Sequence, residues 1–324
     1  MSDWQTDIPE PDDTDPVGLW YRARLADNID DRMWFGFFDD TGRPHWQTLS
    51  HRHYDGIGAL AELFAARGWR IGALPAGRGR QPVVRPHTPP RPAAPPVWLD
   101  LDPARSGERA QQPPAACLLD RAESAVIDAA ARAAGVGTTS WLLWTADRAA
   151  RGLLVTADSP MPWLFPVNLR GAVAAARPTM NHCSGVGLVL YGEDRAADLQ
   201  RQTAARLGAG EHWRQWRGLT VGRWIGAGGV RLLYRLLRAA PGRHAGSYSN
   251  LGDWPPPGFV AGGAGEPAGL VGVAPGSPGW PVSAATLRWR DRRAFACRLH
   301  PVLDRPGLAE SFLHRWRHFA AGGE

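Results

Sequence analysis

Lysine is missing from this chain. All 37 basic residues are arginine, and with the abundant Ala, Gly and Pro this points to GC-rich coding. The arginines are spread along the sequence. Only "WRQWRGLTVGRW" and "RWRDRR" are local clusters, with no long basic run or nucleic-acid motif beside them, so no nucleic-acid partner is expected. The formal charge of +6 suits instead a docking face for an acidic carrier protein or a nucleotide phosphate. Cysteine is scarce. Cys117, Cys183 and Cys297 stand far apart with no Cys-x-x-Cys pair, which argues against a disulfide framework and a zinc ribbon. No apolar run approaches the roughly 18 residues of a transmembrane helix. The opening "MSDWQTDIPEPDDTDP" is acidic and lacks the apolar stretch of a secretory signal, so the expected compartment is the cytoplasm. There is no Gly-x-Ser-x-Gly elbow, no Walker A sequence and no Gly-x-Gly-x-x-Gly at a strand–helix junction. Nothing suggests a redox cofactor.

What remains is a chain of 324 residues, 44% hydrophobic and with 16 Trp, enough for one large core or two smaller ones. Residues 1–16 are acidic and Pro-punctuated and read as disordered. "RMWFGFF" (Arg32–Phe38) and "PHWQTLS" (Pro44–Ser50) read as strands, and "DDTGRP" between them carries turn chemistry. The period then changes to that of a helix. Ile57, Leu60, Ala61, Leu63 and Phe64 share one face, and Gly68 stops the run. Residues 75–116 hold 11 prolines and little periodicity, as a linker or surface crossing would. A helix follows with Asp120 as cap and Glu123 three residues on, then a second capped by Thr138 or Thr139. "PWLFPVNLRGAV" and "CSGVGLVLYG" read as strands. Helices are expected over 194–207 and 210–239, the latter broken by Gly226, Gly228 and Gly229. "GSYSNLG", "GFVAGG" and "GLVGVAP" read as strands, then a hairpin turning at Arg290–Arg292 and a closing amphipathic helix. The order is mixed α and β without simple βαβ repeats.

The densest chemistry is "TLSHRHYDGIGAL" (Thr48–Leu60), where a strand gives way to a helix. Three readings are open. His51, His53 and Asp55 alternate, so on a strand they share a face and are solvated polar side chains of an edge. The same alternation resembles the His-x-His-x-Asp-His ligand motif of the metallo-β-lactamase superfamily. Here Gly56 stands where the last histidine belongs, and His87 is the one candidate further ligand nearby. The third reading uses a spacing of four, His51 to Asp55, followed by Gly56. "SHRHYDG" then resembles the His-His-x-x-x-Asp-Gly motif of the chloramphenicol acetyltransferase-like acyltransferases, which include peptide-synthetase condensation domains. Ser50 takes the place of the first histidine.

Other segments support that third resemblance in the expected order. "FPVNLRG" (Phe165–Gly171) resembles the superfamily's Val-Asn-x-Arg strand, and "NHCSGVGLVLYG" the crossing strand after it. "SYSNLGDW" resembles its Ser-Asn-x-Gly turn, and "LRWRDRRAFACRLHPVLD…FLHRWRHF" its last hairpin and helix. The resemblance implies an α/β fold, an α+β two-layer sandwich in two pseudo-related halves with a channel between them. It divides the chain into a disordered segment 1–20, a shortened N-terminal subdomain 21–116 and a C-terminal subdomain 117–324.

The resemblance further implies an acyltransferase that moves an acyl group from coenzyme A or an acyl carrier protein to a hydroxyl or amine. The acceptor would be a small or lipid-like molecule. His51 would be the general base, with no covalent acyl-enzyme, no metal and no bound cofactor. Asp55 would pair with Arg170 in a structural role beside Gly56, and His53 and Ser50 would support the site. Ser249 and Asn250, with Ser247 behind them, are candidate oxyanion donors, although Ser, Asn and Gly also make a plain turn. The Trp- and Arg-rich segment 213–238 reads as an acyl-tunnel wall or a peripheral membrane contact. A non-catalytic binding relative and a degenerate metal hydrolase using His51, His53 and Asp55 are the alternatives.

Overall fold

The computed structural model of the protein describes residues 15–77, 93–110, 112–174, 177–263, 265–303 and 305–323. His87 lies outside them. The expectation of a disordered segment 1–20 fails at Asp15, which caps helix α1 (Pro16–Ala26). Its carboxylate accepts from the N–H groups of Val17 and Gly18 at 3.0 and 2.9 Å, and Pro16 fills the first turn. An Asp-Pro helix start followed by Val17, Leu19 and Trp20 outweighs the acidic composition upstream.

Strands β1 (Arg32–Phe38) and β2 (Pro44–Ser50) pair antiparallel with Arg32 opposite Ser50, as the sequence pattern predicts. Helix α2 (Gly56–Ala66) follows and ends before Gly68, whose φ of +69° no β-carbon favours. The proline-rich crossing is not wholly irregular. It contains a 3₁₀ turn (Pro103–Gly107) and runs into strand β3 (Ala115–Leu119), which sequence reading misses because five small and aliphatic residues carry no period. Helix α3 (Arg121–Ala133) begins with the Asp120–Glu123 capping box in full. Helix α4 (Thr138–Ala150) departs from expectation at its start: Gly137 is the cap residue and makes no side-chain bond, while Thr138 is already helical.

Strands β4 (Met161–Asn168) and β5 (Cys183–Leu190) pair antiparallel, followed by α5 (Ala196–Gly208), α6 (Glu211–Thr220) and α7 (Gly222–Leu237). The break expected in this region has two parts, a helix end at Thr220 and a kink at Gly226 (φ 63°, ψ 179°). Strand β6 (Gly246–Trp254) comes next, then β7 (Gly269–Val273), β8 (Val282–Trp289), β9 (Arg292–Leu299) and helix α8 (Leu308–Ala320). "GFVAGG" is not a strand. Within it only Val260 pairs, in an isolated bridge to Arg70. The last hairpin turns on Arg290 and Asp291 alone, with Arg290 at φ 55°.

The strands form two sheets, β2-β1-β7 and β3-β9-β8-β6-β4-β5. Thus β7, from the C-terminal segment, completes the N-terminal sheet by pairing antiparallel with β1. Alternation along β1 sets the layers. Met33, Phe35 and Phe37 face Leu60, Leu63 and Phe64 of α2. Trp34 and Phe38 face the other way, onto Ala285, Ala294 and Ala296 of the larger sheet. Those alanines let the two sheets approach over β8 and β9. The opposite face of the larger sheet carries Trp163, Leu188, Tyr248 and Phe295 against Leu142 of α4 and Phe312 and Trp316 of α8. Each half is thus helices on a sheet.

Candidate active site

A cavity of about 330 Å³ lies where α1, β1, the turn after β2, α6 and β6 converge. That volume is in the range of small-molecule sites. His51, Asp55, Gly56, Ser247, Ser249 and Asn250, remote in sequence, all contribute to its wall. Ser50, His53 and Arg170 stand behind it.

Local hydrogen bonding explains why His51 faces inward. Its N–H donates to the Asp31 carbonyl at 2.9 Å, prolonging the β1–β2 ladder by one residue, and the Ser50 hydroxyl bonds the Asp31 carboxylate. The His53 N–H closes a tight turn onto the Ser50 carbonyl at 3.1 Å. Tyr54 is then buried, and Asp55 caps α2. Nδ1 of His51 lies 2.9 Å from the Tyr54 carbonyl. The Asn181 amide nitrogen lies 3.0 Å from the same Nδ1, but its two hydrogens have the carbonyls of His51 and Tyr54 to bond, at 3.1 and 3.5 Å. The tautomer that satisfies all of these groups has the proton on Nδ1, donated to the Tyr54 carbonyl, and the lone pair on Nε2. The Asn181 amide, from the approach to β5, donates to the His51 carbonyl at 3.1 Å and fixes the turn from the other side. The ring stacks on Tyr21 of α1, with centroids 4.4 Å apart. Burial, and next the Arg24 charge, hold the imidazole pKa below its ordinary value of 6.5, opposed by the Asp55 charge. His51 is therefore neutral at pH 7.

Asp55 has other business. It accepts the Gly58 N–H at 2.7 Å, as cap of α2, and the His182 N–H at 3.0 Å. Nη2 of Arg170 lies 2.9 Å from each of its oxygens. Arg170 also donates to the carbonyls of Pro178 and Met180. The pair ties α2 to the end of β4 and the approach to β5. Two glycines allow that closeness. A β-carbon on Gly58 would sit 1.9 Å from the Thr179 carbonyl oxygen, and one on Gly56 would sit 2.6 Å from Leu251 Cδ2.

His53 is buried and receives the Arg52 Nε–H at 3.1 Å. His51, His53 and Asp55 thus point to three different partners, and no group of three metal-ligating side chains converges among the described residues.

Strand alternation separates the β6 candidates. Tyr248 faces the helices and bonds Thr286 at 2.9 Å, so Ser247, Ser249 and Leu251 face the cavity. Asn250 also touches the cavity, but its side-chain amide is committed elsewhere. Its amide nitrogen donates to Thr139 of α4 at 2.6 Å, and its carbonyl accepts the Gly252 N–H at 3.0 Å. Both ends of its amide hold the bulge of β6. The serines are left as hydroxyls on the cavity wall.

Sequence reading misses Tyr21, Arg24 and Asn181. The first two belong to α1, whose signal was the Asp15-Pro16 start. Nothing in the spacing of "TMNHC" marks Asn181. Arg24 lines the cavity with its guanidinium carbon 4.8 Å above the Tyr21 ring. Cys183 also lines it, but burial pushes its thiol pKa up to about 12, so it is no thiolate nucleophile.

Two sheets, each with helices on one face, and a cavity lined from both make a mixed α/β fold in two halves. Among solved structures the chain is similar to polyketide synthase associated protein 5 from Mycobacterium tuberculosis. The TM-score is 0.50 at 14% identity, over 87% of this chain and 75% of that one. It is similar also to the trichothecene 15-O-acetyltransferase from Fusarium sporotrichioides (TM-score 0.49, 13% identity, 69% of this chain and 48% of that one). A third is the condensation domain of the Monacolin K polyketide synthase (TM-score 0.43, 15% identity, 73% and 54%). The chain thus spans about half of the latter two. At 14% identity the first likeness is one of fold. No protein-family model and no curated protein matches the chain. Among the described residues no helix is long and apolar enough to cross a membrane.

Proposed function

We propose that this protein is an acyltransferase that moves an acyl group from a thioester, on coenzyme A or a carrier protein, to a hydroxyl or amine. One observation carries the reading: His51 lines a small-molecule cavity with Nδ1 anchored on the Tyr54 carbonyl, which leaves Nε2 basic. As the acceptor oxygen or nitrogen bonds to the acyl carbon, its proton passes to Nε2. The oxyanion of the tetrahedral intermediate is stabilised by the hydroxyls of Ser249 and Ser247. The C–S bond then breaks, and the imidazolium returns the proton to the departing thiolate. The raised Cys183 pKa favours direct transfer over a thiol-bound intermediate. Asp55 and Arg170 hold the turn and α2 in place and do not touch the reacting atoms.

The test is thiol release from a panel of acyl thioesters with alcohol and amine acceptors. His51→Ala is expected to lower turnover by about 100-fold or more while keeping the native circular dichroism at the assay temperature. Full activity in that variant would overturn the mechanism. The second reading, a binding protein that keeps the fold, is favoured by Tyr21 lying flat on the His51 ring. It predicts thioester binding without turnover in the native chain.

A further inference from the structure

Helix α7 is exposed where a helix in a folded protein is usually covered. Only Gly222 and Val230 of it are buried, against α1. Eleven large hydrophobic side chains are exposed among the described residues, and six fall within seventeen consecutive positions: Val221, Trp224, Ile225, Leu232, Leu236 and Leu237. Trp224 is 89% exposed and Leu236 73%, so the described residues leave both largely uncovered. Leu232 and Leu236 are one turn apart and share a face. Arg231 and Arg235 point elsewhere, to Asp27 at the end of α1.

Charge decides what covers this face. Residues 211–238 hold six arginines against the single acid Glu211. Arg231, Arg235 and Arg238 share one carboxylate, Asp27, whose pKa their contacts lower. A surface of exposed Trp and Leu set among excess arginine is matched by an apolar layer beneath anionic headgroups.

We infer that α7 is an interfacial helix that docks this protein on the surface of an anionic phospholipid bilayer, with Trp224, Leu232 and Leu236 entering the acyl boundary. One helix separates this face from the cavity. Leu19, Trp20 and Ala23 of α1 pack on Val230 and Tyr234 of α7, and Trp20 and Tyr21 line the cavity. Docking therefore brings the cavity wall next to the membrane. Where the acyl-transfer reading holds, it favours a lipid-like acceptor or product, but the docking itself does not depend on that reading.

The test is co-sedimentation of the full chain with vesicles of phosphatidylcholine alone and of phosphatidylcholine with phosphatidylglycerol. Binding is expected to the anionic vesicles and to fall about tenfold or more in the triple variant Trp224→Ser, Leu232→Ser, Leu236→Ser. Because these side chains are exposed, the variant keeps the native circular dichroism, melting temperature and thiol-release rate on soluble acceptors. Trp224→Phe retains binding. No binding to anionic vesicles, or binding equal in the triple variant, would overturn the proposal. So would a dimer in light scattering that the triple variant abolishes, since a second copy would then cover this face. Failure of thiol release alone would leave the docking untouched and count against the acyl-transfer reading.

Discussion

Removing the Asp55 carboxylate should cost this protein much of its stability while leaving the reacting groups intact. The two partners are nearly solvent-free, with side-chain exposures of 5% for Asp55 and 8% for Arg170. In Asp55→Ala the guanidinium keeps the Pro178 and Met180 carbonyls but loses its carboxylate partner. Stranding one member of a buried ion pair costs about 3–5 kcal/mol. The same substitution removes the cap of α2, typically about 1 kcal/mol. The His182 N–H loses its acceptor as well. These losses share one site and do not simply add, so about 4–6 kcal/mol is the expected total. That is a large part of the roughly 5–15 kcal/mol that holds a domain folded. Urea unfolding, followed by circular dichroism and tryptophan fluorescence, measures it. The double variant Asp55→Ala, Arg170→Met removes the stranded cation along with its partner and should be more stable than Asp55→Ala. A loss below about 1 kcal/mol in Asp55→Ala, or a double variant as unstable as the sum of the singles, would refute a buried and mutually dependent pair.

Three further outcomes follow from the same geometry. Arg24 lowers the His51 pKa, so Arg24→Met should raise it and move the acid limb of the kcat/KM profile to higher pH; a limb that stays or moves down contradicts the assignment. Gly58→Ala meets a backbone oxygen and should destabilise by about 3 kcal/mol, whereas Gly56→Ala meets only the tip of Leu251 and should cost clearly less in a thermal melt. Ser249→Ala should cut turnover by about 100-fold at constant stability. Asn250→Ala should instead lower the melting temperature, through the lost Thr139 and Gly252 bonds, with a smaller kinetic effect; a reversal of the two patterns would return the oxyanion role to Asn250.

Much of the architecture is local and was legible without coordinates. The β1–β2 hairpin falls on the residues that its aromatic runs and turn chemistry predict, and the α3 capping box is complete. These elements depend on short-range free energies: runs of strand-forming residues between turn residues, cap bonds and glycine at positive φ. The motif reading also names Asp55 and Arg170 together, and they sit 2.9 Å apart in the fold. Helix α1 was hidden by the acidic composition beside it, and β3 by its lack of period.

The rest is decided by pairings between distant segments, for which one strand's pattern holds no information. That β7 completes the sheet of β1 depends on which edge is vacant once β2 has paired. The roles of Ser249 and Asn250 depend on which face of β6 the helices cover, and a serine and an asparagine side by side suit either face. For His51 the sequence supplied the imidazole and its spacing from Asp55. Tertiary structure supplied its chemistry. The Tyr54 carbonyl sets the tautomer, Asn181 fixes the turn, and the burial of the ring beneath Tyr21, with the Arg24 charge, keeps it neutral. The pKa and tautomer of a side chain are properties of its surroundings, and those surroundings exist only once the chain has folded.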